Sequence, residues 1–310
     1  MVLQALLSYL MLYEVIDSKE SILKFQQILL IPALLVASYG IFEYLLGFSE
    51  GRVVSFFGNP NYLSVYLLLF IPISLGLVTE TSLSNVKRWF AGIVFIACSC
   101  ALLLTLSRGA WLGTIVALAL FTVLKDKRFL VLLLIIALII PFVVPDYVID
   151  RFKTITSINS NMDRINLWST TIEIIRDHPI LGVGIGNFRP VYAEYAQGKL
   201  MAHTHNIFLQ FTVELGIPGL LFIIYFLYLL GKIALTILKK YDFNKKGGGL
   251  VLGLIMALLA LFIDLQFDFQ IADRPMAMLI LFLIVNSAFL ARDDSPLQQV
   301  SRVEDFANNN

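Results

Sequence analysis

"HTHNIFLQFTVELGIPGLLFIIYFLYLLGKIALTILKK", His203 to Lys240, decides how the chain is read. From Ile217 it carries a long apolar run, with Lys232 as its only charge, that closes on Lys239 and Lys240. A helix needs about 20 such residues to cross the hydrocarbon core of a membrane. Gly216 favours a helix stop and Pro218 favours the first turn of a new helix. The stretch therefore reads as two pieces: a short interfacial helix over His205–Leu215 and a span starting near Ile217. His203 and His205, two of only three histidines in the chain, then sit at the mouth of that span. Glu214 lies about two and a half turns beyond His205 on the short helix.

The same pattern repeats outward in both directions. Of 310 residues, 58% are hydrophobic and 15% charged, against about a quarter charged in ordinary globular chains. Apolar runs mark Met1–Tyr13 (partial), Phe25–Phe48, Tyr62–Val78, Trp89–Leu106, Ala110–Leu124, Phe129–Pro145, Ile217–Leu238, Leu250–Phe267 and Pro275–Leu290. The fold class expected is all-α: a polytopic transmembrane helical bundle with about nine spans visible. Outer-membrane strands would instead alternate in polarity over short segments. The short first run reads either as the remainder of a chain truncated at its N-terminus or as a native short first helix. A net charge of +1 excludes a nucleic-acid footprint, which needs a clustered basic face. Cys98 and Cys100 are two apart on one helix, where their side chains point in different directions and do not favour a disulfide, and both read as small core residues.

Lysine and arginine orient the bundle. Lys19 and Lys24, Lys87 and Arg88, Lys125, Lys127 and Arg128, and Lys239, Lys240, Lys245 and Lys246 fall in alternate connections, which are placed in the cytoplasm. Ser49–Asn61, the tight turn Ser107–Arg108–Gly109, the long connection 146–204 and Asp268–Arg274 then face outward. Trp89 and Trp111 read as interfacial aromatics. Residues 1–291 form the membrane domain, and 292–310 read as a polar, disordered cytoplasmic tail.

The chemistry-bearing residues gather on the outward side. Within 146–204, "INLWSTTIEIIRDHP" predicts a short amphipathic helix stopped by Pro179, and "LGVGIGNF" a glycine-rich turn. That turn is not a dinucleotide loop: its spacing is not G-x-G-x-x-G and no strand–helix–strand unit surrounds it. Arg108 is either a topological charge or an anion clamp, since a guanidinium forks well onto phosphate. Arg164 stands at the start of the loop helix, where an anion can also bind; a solvated surface arginine is the plainer reading. Arg52 is a further candidate. No carboxylate cluster suggests a metal, and H-x-H alone is a weak ligand signal.

"GNPNYLSVYLLL", "TLSRGAWLG", "HPILGVGIGNF" and "HTHNIFLQFTVELGIPGLL", in this order over roughly residues 56–230, resemble the O-antigen ligase and polymerase superfamily of bacterial membrane glycosyltransferases. The resemblance implies a fold like the C-type glycosyltransferases and a multi-pass protein of the cytoplasmic (inner) membrane with an extracytoplasmic active site. It implies transfer of a glycan from an undecaprenyl-pyrophosphate carrier to a glycan, lipid or protein acceptor, without metal or other cofactor. Arg108 matches the arginine of the S-R-G-A-W motif, His205 the histidine of H-N-x-x-L-Q, and Arg164 the arginine near the start of the loop helix; these three are the expected catalytic residues. Arg52, His203, Arg189 and Glu214 are expected to bind substrate. A histidine can take the proton of an attacking hydroxyl, and fixed guanidiniums can stabilise a departing pyrophosphate in place of a metal. The alternatives are a transporter or flippase of lipid-linked glycans, for which Asp264 would be the intramembrane acid, and a truncated non-catalytic relative.

Overall fold

The computed structural model describes residues 18–48, 51–127, 130–131, 138, 145–155, 157, 162–196, 200–269 and 274–291. The expected partial span Met1–Tyr13, nearly all of Phe129–Pro145 and the tail 292–310 lie outside them. Ten α-helices run through the described residues, with no strand among them: α1 Lys19–Leu45, α2 Pro60–Val78, α3 Asn85–Leu104, α4 Arg108–Lys125, α5 Asp146–Lys153, α6 Met162–Asp177, α7 Phe188–Tyr195, α8 Ile207–Lys240, α9 Gly248–Asp264 and α10 Arg274–Ala291. Five of them, α1 to α4 and α8, are long and apolar enough to cross a membrane. Seven of the nine expected spans thus correspond to helices, and α9 and α10 have shorter apolar stretches than a full span needs.

Local sequence sets the helix starts. The Ser18 hydroxyl accepts from the Ser21 amide and the Ser21 side chain returns the bond, so α1 begins at Lys19. Lys19 and Lys24 consequently belong to α1 itself, not to a connection before it. Asn59 caps α2 ahead of Pro60, and Asn206 caps α8 by accepting from the Phe208 and Leu209 amides. Arg108 is the first residue of α4 and not the tip of a turn; the chain turns two residues earlier, at Leu106, whose φ is +55°.

α2 and α9 form the middle of the bundle, with α3, α4 and α1 around them. Small residues let these two backbones touch: a Cβ on Gly76 would stand 2.5 Å from the Gly249 carbonyl oxygen, and one on Gly253 2.7 Å from that of Pro72. In a bilayer such close approach, not hydrophobic exclusion between helices, is what drives association. Trp89 is exposed, as an interfacial aromatic should be. Trp111 is not: it is buried, donates to the Leu102 carbonyl and stacks on Phe152 of α5 at 4.2 Å. Cys98 and Cys100 are both free; Cys98 is buried, but Cys100 is exposed on the outside of α3.

The basic connections converge on one end, as the charge bias predicts. There the Lys125 ammonium donates to the Phe243 carbonyl and Lys19 lies 4.8 Å over the Tyr241 ring. Glu80, fully buried, accepts at Oε1 from the Ser82 amide, the Ser82 hydroxyl and the Gly247 amide, and at Oε2 from the Leu250 amide. This ties the α2–α3 turn to the start of α9. Burial alone would raise the Glu80 carboxyl, but these hydrogen bonds outweigh it and hold it below its usual value.

At the opposite end α8 breaks at Gly216 (φ 66°, ψ −152°), where the sequence sets the boundary between interfacial helix and span. The break frees backbone groups that hydrocarbon cannot satisfy. The 179–184 turn supplies partners: Ile217 N–H donates to the Pro179 carbonyl, and the Val183 and Gly184 amides donate to the Val213 and Glu214 carbonyls. The glycine-rich stretch is therefore a plug for the break. A side chain at Gly216 would also meet the Ile180 carbonyl oxygen at 2.3 Å.

Candidate functional site

Four arginines converge at this end from separate parts of the chain. Arg52 comes from the α1–α2 connection, Arg108 from the start of α4, Arg151 from α5 and Arg164 from the first turn of α6. With Asp264 and Asp268 they line a cleft of about 60 Å³. Backbone carbonyls aim them: Arg52 Nε donates to Thr105 O at 2.6 Å, Arg108 Nη1 to Thr154 O at 2.8 Å and Arg151 Nε to Leu106 O at 3.3 Å. Arg52 also donates to the Asn61 side chain at 2.6 Å. Burial, then Arg151 and Arg108, pushes Arg52 down to about 10, with Asp268 opposing. Arg164 is lowered mainly by burial too, while Asp268 and Asp264 pull it back up. Cations gathered this closely repel one another, and an anion between them relieves the repulsion.

A second, apolar groove of about 240 Å³ opens beside the cleft and shares Arg108, Gly109, Arg164 and Phe267 with it. Leu112, Ile155, Ile165 and Trp168 make its walls. Gly109 permits the junction of the two, because a Cβ there would come within 2.7 Å of Asp264 Oδ1 and 3.0 Å of the Phe267 Cβ.

The histidine pair meets Asp268, which follows α9. His205 Nδ1 is 2.9 Å from Asp268 Oδ1, and His203 Nε2 is 3.6 Å from the same oxygen. The two imidazoles lie 4.3 Å apart. Asp268 is 4% exposed; burial would raise its carboxyl, but the bond from His205 and the Phe269 amide keep it below the usual value. Burial, and then His205, press His203 down to about 4 against the pull of Asp268, so His203 is a neutral imidazole at neutral pH. His205 holds the left-handed backbone at φ 54°, which costs a non-glycine residue of order 1 kcal/mol and is common where a side chain must be aimed.

A hydrogen-bond relay fixes this loop. The Thr204 amide donates to Gln210 Oε1 at 2.8 Å, and Gln210 Nε2 donates to Glu214 Oε1 at 3.0 Å. Trp168 Nε1 donates to the Thr204 carbonyl at 2.9 Å. The Glu214 side chain also accepts from the Gly186 and Phe188 amides.

The structure brings together Arg52, Arg108, Arg164, His203 and His205 of the residues singled out in the sequence. Glu214 stands outside the cleft lining, and its contact with the loop runs through Gln210. Arg189 lies exposed on α7, away from the cleft. Both are expected substrate contacts; in this structure Glu214 on α8 faces the glycine-rich plug and Arg189 on α7 is exposed. Arg151 and Asp268 were missed. Arg151 is one charge among many in a polar loop, without a motif. Asp268 is 63 residues from His205, although Asp264 and Asp268, four apart at the end of an apolar helix, were a signal of function in themselves. Asp268 also supplies the third residue that the H-x-H pair lacked: one ligand atom from each of His203, His205 and Asp268 lies within 4.8 Å of the others.

No curated protein is significantly similar to the chain. Residues 93–224 match the family model described as O-antigen ligase. The matched segment runs from α3 into α8 and carries Arg108, Arg151, Arg164, His203, His205 and the break at Gly216; over that segment the chain is similar to the O-antigen ligase family.

Proposed function

We propose that the protein transfers a glycan from an undecaprenyl-pyrophosphate carrier to an acceptor hydroxyl, at the extracytoplasmic face of the bacterial cytoplasmic membrane. The observation that carries this reading is one buried carboxylate, Asp268, bound to His205 beside a cleft of four arginines. Asp268 accepts from His205 Nδ1–H, which leaves the lone pair on Nε2. Nε2 takes the proton of the acceptor hydroxyl as its oxygen bonds to the anomeric carbon. The bond from that carbon to the pyrophosphate oxygen breaks, and Arg108 and Arg164 hold the departing charge, with Arg52 and Arg151 behind them. General-base catalysis is worth about 10²–10⁴-fold and one well-placed donor to a developing anion about 10²–10³-fold. The apolar groove beside the cleft suits the first isoprene units, so lipid, phosphate and sugar meet at the depth where the arginines stand. Asp264, the acid that a transporter would use, ends α9 and lines the same cleft, which favours chemistry at the surface over passage at mid-membrane.

The test is the purified chain in liposomes with a labelled undecaprenyl-pyrophosphate oligosaccharide, no added metal, and products resolved by size. Wild type should consume the donor and His205→Ala should not. A ladder of products identifies a polymerase, and a single shifted product with added acceptor identifies a ligase. Equal consumption by both proteins would remove His205 from the reaction and overturn the assignment.

A further inference from the structure

His203 does no work in the reaction as proposed, yet it is held in an unusual state. It is mostly buried, its Nδ1 has no hydrogen-bond partner among the described residues, and its Nε2 stops 3.6 Å from Asp268, beyond hydrogen-bond range. One ligand atom from each of the two rings and the carboxylate lies within 4.8 Å of the others. In a tetrahedral zinc site with bonds of about 2.0–2.2 Å, neighbouring ligand atoms stand roughly 3.3–3.5 Å apart. The 2.9 and 3.6 Å separations here bracket that spacing. Two imidazoles with one carboxylate are borderline ligands that select Zn²⁺ over Mg²⁺ or Ca²⁺.

We propose that His203 Nε2, His205 Nδ1 and Asp268 form a Zn²⁺ site whose occupation switches the transferase off; the switching half of this rests on His205 acting as the base. A neutral imidazole carries one N–H. Zinc on Nδ1 takes the place of the proton shared with Asp268 and leaves the ring's single proton on Nε2. That nitrogen then donates a hydrogen bond and can no longer accept the proton of a hydroxyl. No proton need leave the ring, only change nitrogen. Arg52 and Arg164, which also face Asp268, compete with the metal for its charge. The site is therefore weaker than a structural zinc site, as a reversible brake requires.

The experiment titrates Zn²⁺ calorimetrically into the full chain, purified without a histidine tag and with no donor present. One saturable site per chain is expected, with no response to Mg²⁺. His203→Ala and Asp268→Asn should each weaken it at least ~10-fold, the low end of the loss seen when even an outer partner of a metal site is removed. His203→Cys, which keeps a zinc ligand, should retain binding and guards against misreading a misfolded variant. Absence of a single site, or binding unchanged in both weakened variants, overturns the proposal. In the liposome assay, saturating Zn²⁺ should abolish transfer and a chelator should restore it. Zinc that binds but leaves transfer intact overturns the switch. A chain that binds zinc at these residues but transfers nothing without it keeps the metal site and sinks the transferase reading instead.

Discussion

Glu80 and Asp264 are both buried carboxylates, at opposite ends of the same bundle, and their surroundings differ completely. Glu80 receives four hydrogen bonds and joins a turn to the start of α9. Asp264 closes the other end of α9 and has no hydrogen-bond partner on either oxygen among the described residues. An unpaired buried polar group costs about 1–3 kcal/mol, so α9, which gives amides to the Glu80 carboxylate at its start and ends on the unpartnered Asp264, is stable at one end and strained at the other. The strained end also holds the left-handed His205, the unpartnered nitrogen of His203 and the crowded arginines. Natural proteins break local rules where they work, and the contrast locates that place without reference to any relative.

The largest effects should come from the strained end. His205→Ala should reduce transfer by about 10²–10⁴-fold, and Arg108→Ala by about 10²–10³-fold. Both variants should insert in the membrane and keep the wild-type unfolding midpoint in detergent. A matching loss of stability would mean that these side chains hold the fold together and would erase the contrast.

Stability should respond the other way round. Glu80→Ala strands the donors of Ser82, Gly247 and Leu250 and should cost ~3 kcal/mol. Asp264→Asn removes no hydrogen bond seen here and should change stability by less than about 1 kcal/mol, or raise it. Unfolding of the two variants side by side decides this, and a larger cost for Asp264→Asn would reverse the comparison.

Acid should act on the satisfied end. The Glu80 carboxyl is held below its ordinary 4.5, so the folded chain binds its proton later than the unfolded chain. Its contribution is present above about pH 4.5 and is lost as the pH falls further. Hydrogen exchange at the Gly247 and Leu250 amides should therefore accelerate below that pH, and in Glu80→Gln this acceleration should vanish.

Smaller effects mark the edge of the site. Glu214→Ala leaves Gln210 without its anchor and lets the histidine loop drift, for which transfer should fall ~10-fold, less than the ~10²-fold of a full 1 Å displacement. Arg189→Ala should alter transfer by less than about twofold, since exposed substitutions away from the machinery do little. Donor titrations of both variants would show whether Glu214 acts through the loop and whether Arg189 meets the substrate after all.

Much of this was legible because membrane helices are written locally. Apolar runs and their caps placed the spans, and Gly216 with Pro218 placed the break in α8. Alternating lysines and arginines predicted which connections share an end. Trp111 was misread because its distance from a span end says nothing about Phe152, which arrives from α5 and covers it. Where Arg189 and Glu214 stand relative to the cleft was not legible, because the turn of α7 and the packing of α8 against the 179–188 segment set it.

The sequence by itself determined an all-helical membrane chain, the two histidines at the mouth of a broken helix, and the arginines of recognisable motifs. Those are properties of runs, caps and short motifs, readable within a few turns. Only the tertiary structure decided that Arg52, Arg108, Arg151 and Arg164 share one cleft and that Asp268 meets His205 across 63 residues. It also decided that Asp264 has no hydrogen-bond partner among the described residues while Glu80 receives four hydrogen bonds. Packing of α2 and α4 against α9 sets those meetings, and glycine-to-backbone contacts between distant helices leave no periodicity in the chain from which to read them.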